Sequence, residues 1–271
     1  MKTLYVSDLD GTLLRSDETT SELTNEIINE LVDQVMLFSY ATARSFHTSH
    51  KVTKGLNAKI PLIIYNGALI LDNVTGELLL SNFFEDNEIQ SLIKDLASHQ
   101  IYPIVYSFIN GVEKFSFIER LNTVGMHKFL ETRKYDQRVR KVDHLDCLYD
   151  GQCFYVTCID EKEKLDSIYE KYKDIYHCVY QEDMYFHDQW LEIMPKNASK
   201  SVAAKQLKDY YQCDRMIAFG DGINDTDLFE VADEAYAVEN AVEELKTKAT
   251  SVIGNHNDDA VAKWLKVNYK G

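Results

Sequence analysis

Two carboxylates stand two residues apart in Asp8-Leu9-Asp10-Gly11-Thr12, directly after the apolar run Leu4-Tyr5-Val6. This pairing suits phosphoryl transfer. One carboxylate can attack phosphorus, its neighbour can carry the proton of the leaving oxygen, and a hard cation between them offsets their repulsion. Asp-x-Asp-Gly also occurs in calcium loops and in ordinary turns, because Asp and Gly are both turn formers. A calcium loop needs further oxygen ligands and a closing Glu, whereas Leu13-Leu14-Arg15 follows here, so the calcium reading fails.

A second acidic turn, Gly220-Asp221-Gly222-Ile223-Asn224-Asp225, follows the run Met216-Ile217-Ala218-Phe219. As a dinucleotide fingerprint it lacks the third glycine and comes too late in the chain. Taken alone it is an Asx turn opening a helix; beside the N-terminal Asp pair it becomes the third corner of a Mg²⁺ site, with oxygen ligands and retained waters. Two further groups can neutralise phosphoryl oxygens. Thr42 is expected where a strand gives way to a helix, so its hydroxyl and the following amides can donate to an anion. Lys200 begins the helix that continues as Val202-Ala203-Ala204. Each is commonplace alone, and the set carries the reading.

The elements that must position these groups read as an α/β fold. Apolar runs at residues 3–7, Val35 to Tyr40, Pro61 to Tyr65 and Met216 to Phe219 are expected as buried parallel strands, separated by amphipathic segments. One of these is Glu22 to Val32, with Leu23, Ile27, Ile28 and Leu31 at helical spacing. The strands end in Asp8-Leu9-Asp10, Ala41-Thr42-Ala43-Arg44, Asn66-Gly67 and Gly220-Asp221-Gly222. In a doubly wound, Rossmann-like parallel sheet, ligands bind beyond the carboxyl ends of the strands, where these termini converge.

The middle of the chain has a mixed pattern. Helices are expected at Asn87 to Ala97 and Lys162 to Tyr172, strands at Tyr102 to Phe108, Val112 to Phe117 and Phe154 to Ile159, and a returning hairpin at Val179 to Trp190. A basic, polar stretch spans Arg133 to Arg140. The predicted organisation is a core of residues 1–82 and 188–271 interrupted by an α+β domain at 83–187.

A chain of 271 residues can hold two modest domains. The net charge of −15 is spread along it and argues against nucleic acid as a partner. Screening over about 8 Å leaves room for a local cation and a buried Lys to hold a phosphate. Cys147, Cys153, Cys158, Cys178 and Cys213 show no zinc spacing and are expected as reduced, packed thiols. Sequons at Asn73, Asn197 and Asn224 carry no weight without a secretory signal, and no run approaches a membrane span, so the expectation is a cytoplasmic protein without membrane partners.

The four ordered motifs resemble those of the haloacid dehalogenase-like hydrolases, specifically the Cof-type sugar-phosphate phosphatases: Asp-x-Asp-Gly-Thr, a Thr after the second strand, a Lys at a helix start and Gly-Asp-x-x-Asn-Asp. The resemblance extends to Asn66-Gly67-Ala68 and Glu239-Asn240-Ala241. Two departures occur. Ala43 replaces the glycine of Ala-Thr-Gly-Arg, and Ala260-Val261 replaces Gly-Val; neither removes a reactive group.

The resemblance implies Asp8 as nucleophile and Asp10 as general acid and base. Mg²⁺ would be held by Asp8, the Asp10 carbonyl and Asp221, with Asp225 orienting its waters. Thr42, the Ala43 amide, Lys200 and Asn224 would contact the phosphoryl oxygens, and Arg44 and Asn66 are further pocket candidates. The substrate would be a small phosphorylated metabolite. The inserted domain would be an α/β cap, with Tyr180, Tyr185 and His187 as either pocket lining or hairpin packing. Two other readings share these parts: a phosphomutase, and a non-enzymatic receiver that stores the aspartyl-phosphate. Asp10 argues against the receiver because an acid/base there shortens the phosphoenzyme's life. Substrate identity and oligomeric state are not encoded in these motifs.

Overall fold

The computed structural model describes residues 1–57, 59–182 and 188–271. Its contacts separate into two units, Met1–Ser81 with Ala198–Gly271, and Asn82–Asn197.

The first unit begins with β1 (Thr3–Asp8), α1 (Glu22–Asp33), β2 (Leu37–Ala41), α2 (Phe46–Val52), β3 (Pro61–Ile64), β4 (Leu69–Asp72) and β5 (Leu78–Ser81). In the second lie α3 (Asp86–Ser98), β6 (Ile104–Ile109), β7 (Val112–Phe117), α4 (Val124–Glu131), β8 (Val139–Lys141), β9 (Gln152–Asp160), α5 (Lys162–Tyr172), β10 (His177–Glu182) and β11 (Gln189–Met194). The chain then completes the first unit with α6 (Lys200–Tyr210), β12 (Arg215–Gly220), α7 (Thr226–Val231), β13 (Glu234–Ala237), α8 (Glu243–Lys248), β14 (Ser251–Val252) and α9 (Ala260–Asn268).

The sheet of the first unit has the order β14-β13-β12-β1-β2-β3-β4-β5. It is parallel from β14 to β3. β4 and β5 then add antiparallel strands at one edge, a departure from the all-parallel expectation. The short Asn66-Gly67 turn leaves no room for a crossover helix, so β4 must fold back beside β3. Buried Leu4, Val6, Phe38, Tyr40, Leu62, Ile63, Met216 and Phe219 make β1, β2, β3 and β12 a two-sided core.

Helix α1 starts at Ser21, whose Oγ accepts the Thr24 N–H at 3.0 Å. Its buried stripe is Thr24, Ile27, Ile28 and Leu31. Leu23, expected with them, is 40 % exposed, because Thr24 takes the inward position at the first turn.

The second unit carries a sheet in the order β10-β11-β9-β6-β7-β8. Ile89, Leu92, Ile93 and Leu96 of α3 and Leu165, Ile168 and Tyr172 of α5 pack with Val105, Val156, Cys158, Leu191 and Ile193 of its strands. The division expected at 187/188 put Gln189–Met194 in the first unit. This segment is β11, which pairs antiparallel with both β10 and β9, so the second unit runs on to Asn197. The five cysteines are free. Among the described residues no helix is long and apolar enough to cross a membrane.

Candidate active site

Strand β1 delivers Asp8 to the carboxyl edge of the sheet, where its side chain is buried. The chain then loops through Leu9–Leu13, closed by the bond from the Leu14 N–H to the Leu9 carbonyl at 2.8 Å, with Gly11 at φ 74°. A Cβ on Gly11 would lie 2.2 Å from Asp221 Oδ2, so both the backbone angle and the close approach require glycine. Thr12 Oγ1 donates to Asp221 Oδ1 at 3.1 Å, linking the first acidic turn to the last. Asn240 Nδ2 donates to the Gly11 carbonyl at 2.7 Å and braces the same turn from the other side.

Lys200 is the first residue of α6, whose N-cap Ser199 accepts the Val202 N–H at 3.2 Å. Its Nζ donates to Asp8 Oδ1 at 2.5 Å and to Asp225 Oδ1 at 2.7 Å, with 2 % of the side chain exposed. The other oxygen of Asp225 accepts the amides of Asp221 and Gly222, each at 3.1 Å. Asp225 therefore fixes the loop that presents Asp221.

Carboxylate oxygens of Asp8, Asp221 and Asp225 all lie within 4.8 Å of one another. Three carboxylates face one ammonium. Burial pushes the Asp8 carboxyl well above its usual range, and repulsion from Asp225 and Asp221 adds to this against the pull of Lys200. Burial, then the Asp225 charge, raises Asp221 to about 6. For Lys200 burial opposes the charge, but Asp225 and Asp8 outweigh it and hold the proton above the ordinary lysine range. One side of the cluster is satisfied and the other is short of positive charge. An all-oxygen donor set with unspent negative charge fits a hard divalent cation better than zinc.

This imbalance has a measurable consequence. Asp221 titrates at about 6 in the folded, cation-free protein against 3.8 as its reference. A carboxyl raised on folding contributes stability that is full below its unfolded pKa and lost as pH rises through its folded one. With a chelator present, this contribution to thermal stability should fall between about pH 4 and pH 6, and a divalent cation should raise the melting temperature more near pH 7.5 than near pH 5. Equal cation-induced shifts at both pH values would count against the cluster as a cation site.

The remaining sequence candidates are distributed as follows. Thr42 does not open a helix: α2 begins at Phe46 with Ser45 as its cap, so helix-terminus amides are not presented at Thr42. Its Oγ1 instead accepts the Arg44 N–H at 3.1 Å. The main-chain bond from Asn66 N to Thr42 O, 2.9 Å, joins Asn66 to this segment. Gly67, at φ 96°, lets the Asn66 turn press against Ser199, whose carbonyl would be 2.2 Å from a Cβ there. Asn224 lies exposed beside Gly222, where a Cβ would come within 2.4 Å of its Oδ1.

Arg44 meets Asp10 rather than the Lys200 cluster. Its Nε lies 2.9 Å from Asp10 Oδ2, its Nη2 2.5 Å from Asp10 Oδ1, and the same Nη2 reaches Glu18 Oε2 at 3.0 Å. Tyr180 stacks on Tyr169 of α5, ring centroids 4.8 Å apart, and donates to Asp166, so hairpin packing describes it. Tyr185 and His187 lie outside the described residues. Sequence reasoning missed Glu18, Asn240 as a brace, and Thr12 as a partner of Asp221. The last two stood inside quoted motifs, whereas nothing around Glu18 signalled it.

The chain is 28% identical to the 5-amino-6-(5-phospho-D-ribitylamino)uracil phosphatase YwtE of Bacillus subtilis, over 95% of each chain. It is 25% identical to the phosphatase of the same description, YitU, also of Bacillus subtilis, over 97% of this chain and 96% of the relative. In fold it is similar to TM0651 from Thermotoga maritima, at a TM-score of 0.78 and 24% identity, over 100% of this chain and 99% of that one. A family model described as haloacid dehalogenase-like hydrolase matches residues 5–265, and the chain belongs to that family.

Proposed function

We propose that this protein is a Mg²⁺-dependent phosphatase that hydrolyses small phosphorylated metabolites, sugar phosphates among them, through an aspartyl-phosphate on Asp8. The observation that carries the proposal is Lys200 clamped between Asp8 and Asp225 beside Asp221. Lys200 occupies Oδ1 of Asp8, which leaves Oδ2 as the attacking oxygen.

Held by the carboxylates of Asp8 and Asp221 and the Asp10 carbonyl, Mg²⁺ would neutralise charge on the transferring phosphoryl group. Asp225 stays with Lys200 and the loop amides and orients the site. In the first step a bond forms from Asp8 to phosphorus, the ester P–O bond breaks, and Asp10 protonates the departing alkoxide. In the second, Asp10 takes a proton from water as that water attacks phosphorus and frees Asp8. Thr42, the Ala43 amide, Lys200 and Asn224 bind the phosphoryl oxygens, where catalysis is mostly positioning and charge stabilisation. Arg44 holds the Asp10 carboxylate rather than the phosphate. The phosphatase activities named for the relatives support the reaction class, and the phosphorylated ribityl group in their names supports a polyhydroxylated substrate.

The test is phosphate release from p-nitrophenyl phosphate and a panel of sugar phosphates by pure protein. Hydrolysis should require Mg²⁺ or a similar hard cation and stop on chelation. Undiminished activity after exhaustive chelation would overturn the metal assignment, and no turnover of any ester with Mg²⁺ would overturn the phosphatase reading.

A further inference from the structure

At the opposite, amino-terminal end of the same sheet, the first unit holds a cleft of about 630 Å³. Its floor comes from strand register. Thr3 pairs with Arg215, Tyr5 with Ile217, Ile217 with Glu234 and Phe219 with Tyr236. In a parallel ladder paired residues share a face, so Tyr5, Arg215, Glu234 and Tyr236 lie on one side of the sheet. Helix α9 covers that side with Trp264, whose ring centroid is 4.4 Å from Tyr236 and 5.2 Å from Phe219. Tyr269, just past the helix, meets Tyr5 edge-on at 6.1 Å.

Polar groups converge inside these aromatic walls. Arg215 pairs with Glu234, both about one-third exposed into the cleft. Tyr236 donates its hydroxyl to Glu234 Oε2 at 2.7 Å. A carboxylate has about four lone-pair sites and a guanidinium five N–H donors, so most of this capacity is unused. The Tyr5 hydroxyl makes no hydrogen bond to another described residue. A half-open cleft of this size, with aromatic walls and a few convergent polar groups, has the character of a small-molecule site.

We propose that this cleft is a second, non-catalytic binding site for a planar nitrogen heterocycle presenting a hydrogen-bond acceptor beside a donor, as the adenine edge does. The aromatic walls accept a flat ring. Arg215 donates to the ring acceptor and Glu234 accepts from the neighbouring amino group. The site stands apart from Asp8 and does not depend on the phosphatase reading.

Trp190 and Trp264 are the two tryptophans, so Trp190→Phe leaves Trp264 as the sole indole reporter in the otherwise full chain. Adenosine should change its fluorescence saturably in the submillimolar range. Purine riboside, which lacks the exocyclic amino donor, should bind tenfold or more weaker, and Glu234→Gln should shrink that difference. Adenosine binding with loss of the difference in the Glu234 variant supports the proposal. No saturable response to adenosine, or equal affinity for the two nucleosides in the reporter protein, overturns it. The ligand pair keeps the test decisive even if the Glu234 variant fails to fold.

Discussion

Asp8→Asn is expected to lower turnover by a factor on the order of 10⁶, the scale found when a covalent nucleophile is removed from a hydrolase. The amide matches the carboxylate in shape but cannot attack phosphorus. Its oxygen can still accept from Lys200 Nζ, so the clamp to Asp225 survives. The substitution also removes one of three crowded carboxylates, and burial already disfavours the Asp8 charge. The cation-free variant should consequently melt no lower than wild type near neutral pH. Acid-quenched reactions with labelled substrate should trap phosphate on wild-type protein and none on the variant. Retained turnover in a clean preparation would remove Asp8 as nucleophile, whereas lost turnover with a collapsed melting curve would mean that Asp8 is structural.

The parts of this site legible in sequence are those whose signal is local. A strand ending in Asp8 is announced by Leu4-Tyr5-Val6 and by a glycine three residues later. Lys200 is announced by Ser199, a helix cap immediately before it. Val35 shows where local reading fails: as a β-branched residue at the head of an apolar run it is expected in a strand, yet it is exposed at φ 68°. The Met36 N–H bonds back to Leu31 O, so α1 terminates by a left-handed residue, a place that favours Gly. The strand starts two residues later, at Leu37.

Pairing partners are the other missing information. Gln189–Met194 runs past the end of the hairpin expected at Val179 to Trp190, and nothing in its residues says that β9 takes it up as well as β10. The Arg44–Asp10–Glu18 contact is similar. Sequence placed Arg44 in the pocket because of its motif, while its actual acceptors are 34 and 26 residues away. A salt bridge has no periodicity to betray it.

Lys200→Met should cost both stability and catalysis. Lys200 sits between Asp8 and Asp225 with almost no solvent. Removing one partner of a buried ion pair typically costs roughly 3–5 kcal/mol, because the uncompensated charge stays behind. The sign of the pH dependence follows. Asp8 and Asp221, both already raised and both pulled back by Lys200, would lose that pull, and a carboxyl raised further on folding adds stability only below its unfolded pKa. The deficit should therefore be smallest near pH 4 and grow as pH rises through the raised carboxyl values. Wild-type Lys200, whose proton is held more tightly in the folded state than in the unfolded, keeps its contribution throughout that range. Mg²⁺ should narrow the gap at neutral pH, since a second cation restores part of the missing charge, yet turnover should stay low because Asp8 Oδ1 is no longer held. Denaturant titrations at several pH values, with Mg²⁺ and with chelator, separate these effects. A variant as stable as wild type near pH 7.5 without metal would mean that the three carboxylates are not coupled through Lys200. Wild-type turnover in a folded variant would remove it from the phosphoryl site.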